Sequence, residues 1–398
     1  MSTEHYDVIL AGGGLANGLI AWRLKALQPQ LRILLVEQKA TLQSDNVWSF
    51  HEGDLTEQQR AWIQPLVEYQ WDSYRVHFPD FDRQFFDGYA TVTGQRLGQV
   101  LEAALRAELR LGVRITQLTP REIMLDTGEV MHASVVIDGR GAVDSPQMVV
   151  GQQVFLRQRL RTQRPHGLGA PIVMDACIGQ GQAYRYAHVL PLSDDTLLVE
   201  DTYFVDGTAP SREQLRRSIT HYVESHGWSI AQVISEELGT LPITLAGDFD
   251  AFWTETAGQP RSGARAGFYH ATTGYALPHA IRLAQWVSEQ PVLEAAALFQ
   301  GIHRLAQRDW RQQGFNRVLN RLLLLAGKPE YRWRVMQRFY SGPRAMIQRF
   351  HAGRMTTLDK LQVVAKRIPV PLAGAVQAVY RHQPRQFQAM PRAAEDLR

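Results

Sequence analysis

Residues Tyr6-Asp7-Val8-Ile9-Leu10-Ala11 lead directly into the glycine-rich run Gly12-Gly13-Gly14-Leu15-Ala16-Asn17-Gly18. The first run predicts a short buried strand, and the apolar positions after the glycines recur at helical spacing as far as Leu27. The segment Leu31 to Glu37 then predicts a second parallel strand that ends in an acid. Strand, glycine-rich turn, helix and strand in this order are typical of a βαβ unit that binds the ADP part of a dinucleotide.

The residue types in this segment indicate how it would hold its ligand. Gly12 permits the tight turn, Gly14 lets the backbone approach a pyrophosphate, and the helix N-terminus supplies free N–H groups. Glu37 can accept hydrogen bonds from ribose hydroxyls, and its charge disfavours a 2′-phosphate, so FAD or NAD fits better than NADP. The predicted cofactor-binding residues of this segment are Gly12, Gly13, Gly14, Leu15, Ala16 and Glu37. The third glycine of the fingerprint falls on Asn17, so we expect slightly altered packing of the helix on the strand.

Two later segments favour FAD over NAD. Residues Ala133 to Ile137 predict another buried strand, which ends in Asp138-Gly139. The segment 266–278 predicts a strand and a glycine-containing loop, with Thr273, Gly274 and Tyr275, before a helix over 279–289. FAD is long, and its flavin end needs backbone donors from a loop that is distant in sequence. Arg96, at the start of a predicted helix, fits equally well as a phosphate contact and as a solvated helix residue.

Several ordered motifs resemble one family of flavoproteins. They are Gly14-Leu15-Ala16-Asn17-Gly18, Trp48-Ser49-Phe50, Val136-Ile137-Asp138-Gly139-Arg140-Gly141, Pro165-His166-Gly167-Leu168, Leu198-Val199-Glu200-Asp201-Thr202, Leu241-Pro242-Ile243-Thr244-Leu245, Thr272-Thr273-Gly274-Tyr275 and Trp333-Arg334-Val335-Met336-Gln337-Arg338-Phe339-Tyr340. With these residues the chain resembles the flavoprotein hydroxylase and geranylgeranyl-reductase type of fold, and within it the bacterial lycopene β-cyclases. The resemblance covers the chain to about Gln383.

The resemblance implies an acid-catalysed, non-redox reaction of a carotenoid. Such enzymes close the ψ-ends of lycopene to β-ionone rings, through γ-carotene to β-carotene, and need FAD in its reduced form. NAD(P)H or another donor would keep the flavin reduced. The resemblance also implies association with the membrane surface, as a cytoplasmic protein at the inner membrane, and possible contact with other carotenoid-pathway enzymes.

The proton chemistry points to an acidic pair. Residues 183–191 and 196–204 predict a hairpin around Ser193-Asp194-Asp195, and Glu200 and Asp201 are neighbours on its second strand. Their side chains therefore point to opposite faces, and alternation alone does not choose between them. The resemblance favours Glu200 as the essential acid–base residue and keeps Asp201 as a second candidate. We expect an apolar surrounding to hold such a carboxylic acid protonated at neutral pH.

The charge distribution is strongly asymmetric. From Gly301 to the end there are 19 Lys and Arg against 5 Asp and Glu, whereas the whole chain holds 43 against 39. Arg alternates with aromatic residues over 304–350, a pattern that suits the headgroup region of an anionic bilayer. A helical cap with a solvated basic face is the alternative. Nucleic-acid binding shares the electrostatics, but no nucleic-acid-binding motif accompanies it, so we expect no nucleic-acid partner.

Other classes of site and location are disfavoured. Cys177 is the only cysteine, so an intrachain disulfide and a multi-cysteine metal site are excluded. The histidines lack ligand spacing, so we assign no metal. The start of the chain lacks a signal-peptide pattern, and no run reaches the roughly 18 apolar residues of a membrane span. We therefore expect a cytoplasmic protein that does not cross the membrane.

The predicted fold is α/β. A Rossmann-type FAD-binding domain comprises residues 1–54, 91–144 and 261–288, and an inserted antiparallel β-sheet substrate domain comprises 55–90 and 145–260. A basic helical C-terminal cap, 289–398, would face the membrane. The same scaffold would also suit a flavin-dependent hydroxylase, a polyprenyl reductase, or a non-catalytic flavin- or lipid-binding protein.

Overall fold

The computed structural model describes residues 5–181, 183–205, 209–256, 258–326 and 328–365, together with Val376, Val379 and Tyr380. The strands are β1 His5–Ala11, β2 Ile33–Glu37, β3 Val47–His51, β4 Tyr69–Trp71, β5 Tyr74–Phe78, β6 Phe81–Phe85, β7 Tyr89–Thr93, β8 Leu109–Leu111, β9 Ile115–Leu118, β10 Glu122–Leu125, β11 Val130–Asp138, β12 Met148–Thr162, β13 Ile172–Asp175, β14 Tyr184–Pro191, β15 Thr196–Val205 and β16 Ile230–Gly247. The helices are α1 Leu15–Leu27, α2 Glu57–Ile63, α3 Gly94–Leu105, α4 Arg212–Ser225, α5 Phe249–Thr254, α6 Leu277–Ser288, α7 Ala295–Gln312, α8 Gly314–Leu325, α9 Trp333–Tyr340, α10 Arg344–His351 and α11 Thr357–Ala365. Apart from those three residues, the predicted helical cap beyond residue 365 lies outside the described residues.

The N-terminal strands form a six-stranded sheet in the order β8-β2-β1-β11-β10-β9. Strand β1 pairs in parallel with both β2 and β11, as the βαβ pattern predicts. One face of this sheet is covered by α1, α3 and α6, whose apolar residues are fully buried with Val8 and Leu10. The central strands are buried on both faces, which explains why their sequences are continuously apolar.

Helix α7 belongs to the same layer. Its residues Leu298 and Ile302 are almost completely buried and join the core of the six-stranded sheet. The segment that follows residue 288 therefore begins with a helix that packs on the dinucleotide-type domain. The proposed boundary between this domain and the C-terminal cap stays a prediction.

A second sheet has seven strands in the order β16-β12-β15-β14-β13-β5-β6. Its strands come from both segments that we assign to the substrate domain, and they pair antiparallel except for β13 with β5. Helix α4 packs on one face of this sheet, and α8, α9 and α10 pack on the other. A third, small sheet has three strands in the order β3-β7-β4. The predicted α/β fold class is confirmed.

In the part of the chain that the structure describes, no helix is both long enough and apolar enough to cross a membrane.

Candidate functional site

The glycine-rich turn between β1 and α1 has the close contacts expected of a dinucleotide turn. Gly12 has φ +93°, and a Cβ on it would lie 3.1 Å from the carbonyl oxygen of Gly139. The N–H of Gly13 donates to Oε2 of Glu37 at 2.7 Å. A Cβ on Gly13 would lie 2.4 Å from Cδ2 of Leu42, so this position has no room for a side chain.

Gly14 differs from its neighbours because its side-chain position is open. It has φ −70° and ψ 176° at the N-cap of α1, and a Cβ built on it meets no atom within 4 Å. No side chain caps α1, so the first-turn N–H groups, including those of Leu15 and Ala16, lack a side-chain cap partner. An uncapped helix N-terminus beside an open glycine can accept an anionic group.

Asn17 explains how the turn works without the third glycine of the fingerprint. Its Nδ2 donates to the carbonyl oxygens of Ala11 and Gly12 at 2.9 and 3.0 Å, and its Oδ1 accepts from the hydroxyl of Ser262 at 2.6 Å. Gly18, one position later, provides the close contact with α3, where a Cβ would lie 2.6 Å from Cδ1 of Leu101. The amide thus ties the ends of β1 and α1 to the chain near residue 262.

The Asp138-Gly139 segment lies next to this turn at the end of β11. Gly139 donates to the carbonyl oxygen of Ala11 at 2.8 Å. The buried carboxylate of Asp138 accepts from Arg140 at 2.9 and 3.0 Å and lies 3.3 Å from Nε of Arg265. The structure therefore gives Asp138 two cationic partners, and its contact with a cofactor stays a prediction.

Arg96 has a local partner. It lies in the first turn of α3, which begins two residues earlier than predicted because the hydroxyl of Thr93 accepts from its N–H as the N-cap. The side chain is exposed, and its Nε donates to the carbonyl oxygen of Pro65 at 2.9 Å. The predicted phosphate contact of Arg96 stays a prediction.

The flavin loop predicted within 266–278 is organised by a buried histidine. Nδ1 of His270 accepts from the N–H groups of Thr272 and Thr273 at 3.3 and 3.2 Å, and its Nε2 therefore carries the proton and donates to the carbonyl oxygen of Phe350 at 2.9 Å. Burial lowers the pKa of His270 to about 4, so the ring is neutral near pH 7. The loop also contains Gly274 at φ +70°, packed on Leu241. It leads into α6 at Leu277, two residues before the predicted start.

Glu200 lies in a buried ion pair on the sheet face that α8, α9 and α10 cover. Arg157, directly opposite on β12, donates to Oε2 of Glu200 from Nη2 at 2.6 Å and from Nε at 2.9 Å. The hydroxyl of Thr202 donates to Oε1 at 2.8 Å. Arg157 also donates to Glu237 at 2.9 Å, so one guanidinium joins two carboxylates.

This environment contradicts the expectation of an apolar pocket that keeps Glu200 protonated. Burial alone would raise the pKa of Glu200, but the charge of Arg157 and the Thr202 hydrogen bond outweigh it and hold the pKa below its ordinary value. Burial instead raises the pKa of Glu237. Glu200 is therefore ionised at neutral pH, and its protonated form is a stronger acid than an unpaired glutamic acid.

Asp201 lies on the opposite face of the sheet, as the alternation predicts. Its carboxylate accepts from Nε and Nη2 of Arg185 at 2.8 and 2.9 Å, under α4. Burial raises its pKa. The structure does not bring Asp201 to the Glu200 ion pair, and the geometry supports a structural role for this residue.

Tyr89 connects the predicted flavin loop with the Glu200 strand. Its hydroxyl lies 3.1 Å from that of Tyr275 and 3.4 Å from Nε2 of His188, which stands opposite Glu200 in the β14–β15 pair. Burial lowers the pKa of His188 to about 4, so this imidazole is neutral. Two sequence-predicted parts of the site, the loop and the acid, therefore meet through two residues that the sequence did not single out for this function.

A polar cleft lies beside the ion pair. Its walls combine Asn46 and Thr91 from the small sheet and its flank with Arg157, Arg159 and Glu237 from the seven-stranded sheet. The cleft therefore lies between the small sheet and the seven-stranded sheet.

The basic C-terminal region is less exposed than its sequence suggests. Phe339, Tyr340 and Phe350 are at most 8% exposed and belong to the core, and Arg332 is buried. Arg344 and Arg349 are engaged by Asp87 and Asp359. The prediction that aromatic residues and Arg alternate as interface anchors is therefore wrong for the buried Arg332, Phe339, Tyr340 and Phe350. The exposed members are Tyr331, Arg304, Arg308, Arg311, Arg334, Arg338 and Arg344.

The sequence assigned no role to Arg157, Tyr89 or Ser262, and it marked Asn17 only as the residue that replaces the third glycine. Arg157 and Glu200 are far apart in sequence because β13 and β14 intervene, so no hairpin turn marks their pairing. Among the described residues, no group of three or more His, Cys, Asp or Glu side chains is arranged to hold a metal ion.

Comparison with known proteins identifies the family. The profile described as lycopene cyclase protein matches residues 7–377. A lycopene beta-cyclase from Pseudescherichia vulneris is 47% identical over 378 residues, which are 95% of this chain and 98% of that protein. A lycopene beta-cyclase from Pantoea ananas is 44% identical, covering 94% and 98% of the two chains. One from Paracoccus is 38% identical, covering 94% and 97%.

Solved structures of more distant proteins share the fold. A geranylgeranyl bacteriochlorophyll reductase-like protein from Thermoplasma acidophilum superposes with a TM-score of 0.57 at 14% identity, covering 96% of this chain and 98% of that one. The flavin-dependent brominase Bmp2 gives a TM-score of 0.58 at 12% identity, with coverage of 92% and 98%. These similarities show the fold alone. On the family profile and the identities over nearly the full length, the chain belongs to the lycopene cyclase family.

Proposed function

We propose that this protein is a lycopene β-cyclase, which closes the two ψ-ends of lycopene to β-ionone rings and gives β-carotene through γ-carotene. Family membership over almost the whole chain supports this function. The observation that carries the mechanism is the buried Glu200–Arg157 ion pair next to the predicted flavin loop.

The reaction moves protons without net oxidation. A proton is added to C2 of the terminal C1=C2 double bond, the C5=C6 bond attacks the resulting C1 cation, and a proton leaves C6. Glu200 is the acid–base residue in this proposal. Arg157 lowers its pKa, which strengthens the protonated form as a donor to an alkene, while the carboxylate form stabilises positive charge beside it.

FAD is the cofactor that we propose for the dinucleotide-type site. The uncapped α1 N-terminus and the open side-chain position of Gly14 fit a pyrophosphate, and the position of Glu37 beside the turn fits a ribose. The structural relatives include a flavin-dependent brominase. When bound in its reduced form, FAD would supply negative charge near the cation, and NAD(P)H would keep it reduced.

We further propose that the protein works at a membrane surface, because its hydrocarbon substrate resides in lipid. An exposed edge near α9 and α11 carries Leu358, Leu361 and Tyr331, which are 64%, 61% and 46% exposed, close in sequence to the exposed Arg334 and Arg354. Apolar and basic side chains together suit an anionic lipid surface.

Two isosteric variants of neighbouring acids test the catalytic assignment. Glu200→Gln should lower cyclisation at least about a hundredfold, because it removes the acid–base group but leaves the fold and FAD binding. Asp201→Asn is the matched control, since Asp201 faces α4 and should keep near-normal turnover. The measurement is β-carotene formed per bound FAD. Full activity of the Glu200 variant would remove this residue from the mechanism.

A further inference from the structure

An apolar cavity lies among the C-terminal helices, away from the polar cleft beside Arg157. Its walls are formed by α8, α9, α10 and α11, including Leu323, Val335, Phe339, Met346 and Val363, and Thr272 contributes from the other side. Arg338 and Gln362 are its polar helical members, and no acidic residue lines it among the described residues. The lining therefore suits an uncharged hydrocarbon.

The cavity is connected with the proposed reaction site at its inner wall. Thr272 immediately precedes the Thr273-Gly274-Tyr275 loop, and its hydroxyl is buried without a hydrogen-bond partner among the described residues. Leu323, Met346 and Phe339 belong to the same continuous buried cluster as Leu198, which lies on the same strand and face as Glu200.

The outer wall adjoins exposed apolar surface. Gln362 and Val363 of α11 line the cavity, while Leu358 and Leu361 of the same helix are more than half exposed. The outer wall of the cavity and these exposed apolar residues therefore belong to the same helix. The volume of the cavity, about 50 Å³, is small, so the helices must separate for a long chain to enter.

We propose that this cavity is the subsite for the linear polyene chain, the part of the substrate that is not being cyclised at Glu200. The proposal rests on the proposed cyclase function and adds the location of the remaining chain. Extended isoprenoid hydrocarbon is the occupant that fits a mostly apolar lining without acidic residues, an inner wall next to the flavin loop and an outer wall on the helix that carries the exposed Leu358 and Leu361. Helices α8 to α11 then form the tunnel wall.

Val335→Trp tests the subsite by filling it. We expect this variant to retain FAD and to lose at least tenfold in kcat/KM for lycopene and in binding of lycopene to the FAD-free protein, measured by co-elution of its absorbance on gel filtration. The control is Ala345→Trp on the exposed side of α10, for which we expect values within twofold of the unmodified protein. A Val335→Trp protein that is folded and behaves like the control would overturn the proposal.

A second measurement needs no variant, which matters if Val335→Trp fails to fold. Amide hydrogen exchange of the unmodified protein is compared with lycopene in detergent micelles and with empty micelles. We expect lycopene to slow exchange in α9 and α10, and unchanged exchange there would refute the subsite even if cyclisation is observed. If the unmodified protein binds lycopene at these helices but forms no cyclic product, the cyclase proposal fails and the subsite stands.

Discussion

The ion pair of Glu200 and Arg157 is both deeply buried and joined by several hydrogen bonds. Both side chains are at most 12% exposed, and the guanidinium makes two hydrogen bonds to one carboxylate and one to Glu237. Taking such charges out of water costs several kcal/mol, which only close pairing offsets. An arrangement of this kind is more useful for setting the pKa of an acid than for stabilising a fold.

Arg157→Gln tests this electrostatic control. With the guanidinium gone, burial is opposed by weaker interactions such as the Thr202 hydrogen bond and the pKa of Glu200 rises, so the limb of the pH–activity profile that reports Glu200 should move to higher pH. Movement of the acid limb identifies Glu200 as a base, and movement of the alkaline limb identifies it as an acid. We also expect a loss of about 3–5 kcal/mol in the free energy of unfolding, because two buried carboxylates lose their partner.

Arg159→Gln is the control for that profile. Arg159 lies two residues along β12 and lines the same cleft, but its Nη2 lies 3.3 Å from the hydroxyl of Tyr69 rather than on Glu200. Its profile should match that of the unmodified protein. Identical pH–activity profiles of the unmodified protein, Arg157→Gln and Arg159→Gln would contradict the proposal that Arg157 sets the pKa of Glu200.

At the level of single elements, neighbouring glycines in the turn between β1 and α1 serve two purposes, packing within the protein and binding of the ligand. The N–H of Gly13 is used within the protein, and its side-chain position is filled by Leu42, whereas Gly14 faces open space. Neighbouring glycines in one motif therefore serve different needs, one for the fold and one for the ligand.

Alanine at these two positions distinguishes the two needs. Gly14→Ala should leave the unfolding free energy of the cofactor-free protein unchanged, since its φ of −70° suits any residue, but weaken FAD binding about tenfold or more by obstructing the pyrophosphate. Gly13→Ala should destabilise the fold by about 1–3 kcal/mol through its contact with Leu42. Urea unfolding and FAD titration measure both effects. Unchanged FAD affinity in Gly14→Ala would place the cofactor elsewhere.

The sequence predicted most elements well where their pattern is local. The βαβ unit and the hairpin of β14 and β15 follow from periodicity and turn residues within short windows. Arg157, the partner of Glu200, could not be predicted in this way, because the pairing of β12 with β15 is set by the whole sheet rather than by a turn. Likewise, Asn17 replaces a glycine through contacts with Ser262, about 245 positions later, which no short motif encodes.

At the scale of the whole molecule, the excess of basic residues after Gly301 is only partly a surface. Arg321 and Arg332 are 4% exposed and donate to backbone carbonyl oxygens, so they are part of the interior. Composition could not separate these residues from exposed ones, since burial depends on how α8 and α9 pack on the seven-stranded sheet. The proposed membrane surface is correspondingly smaller than the charge count implies.

Liposome flotation tests that surface. We expect the protein to float with anionic liposomes and less with neutral ones, and the double variant Leu358→Glu, Leu361→Glu to lose most of this binding. Val233→Glu is the control, because Val233 is also an exposed apolar residue, at 46%, but lies on β16. Equal flotation of all three proteins, or none with either lipid, would defeat the proposed surface.

In the proposed reaction, the protein closes the rings of lycopene without net electron transfer. The direct test is anaerobic incubation of the protein with lycopene and chemically reduced FAD, followed by chromatography and mass spectrometry of the product. We expect γ-carotene and then β-carotene, with the mass of lycopene and no stoichiometric loss of reduced flavin. A product whose mass has changed by hydrogen or oxygen, with matching oxidation of the flavin, would contradict it.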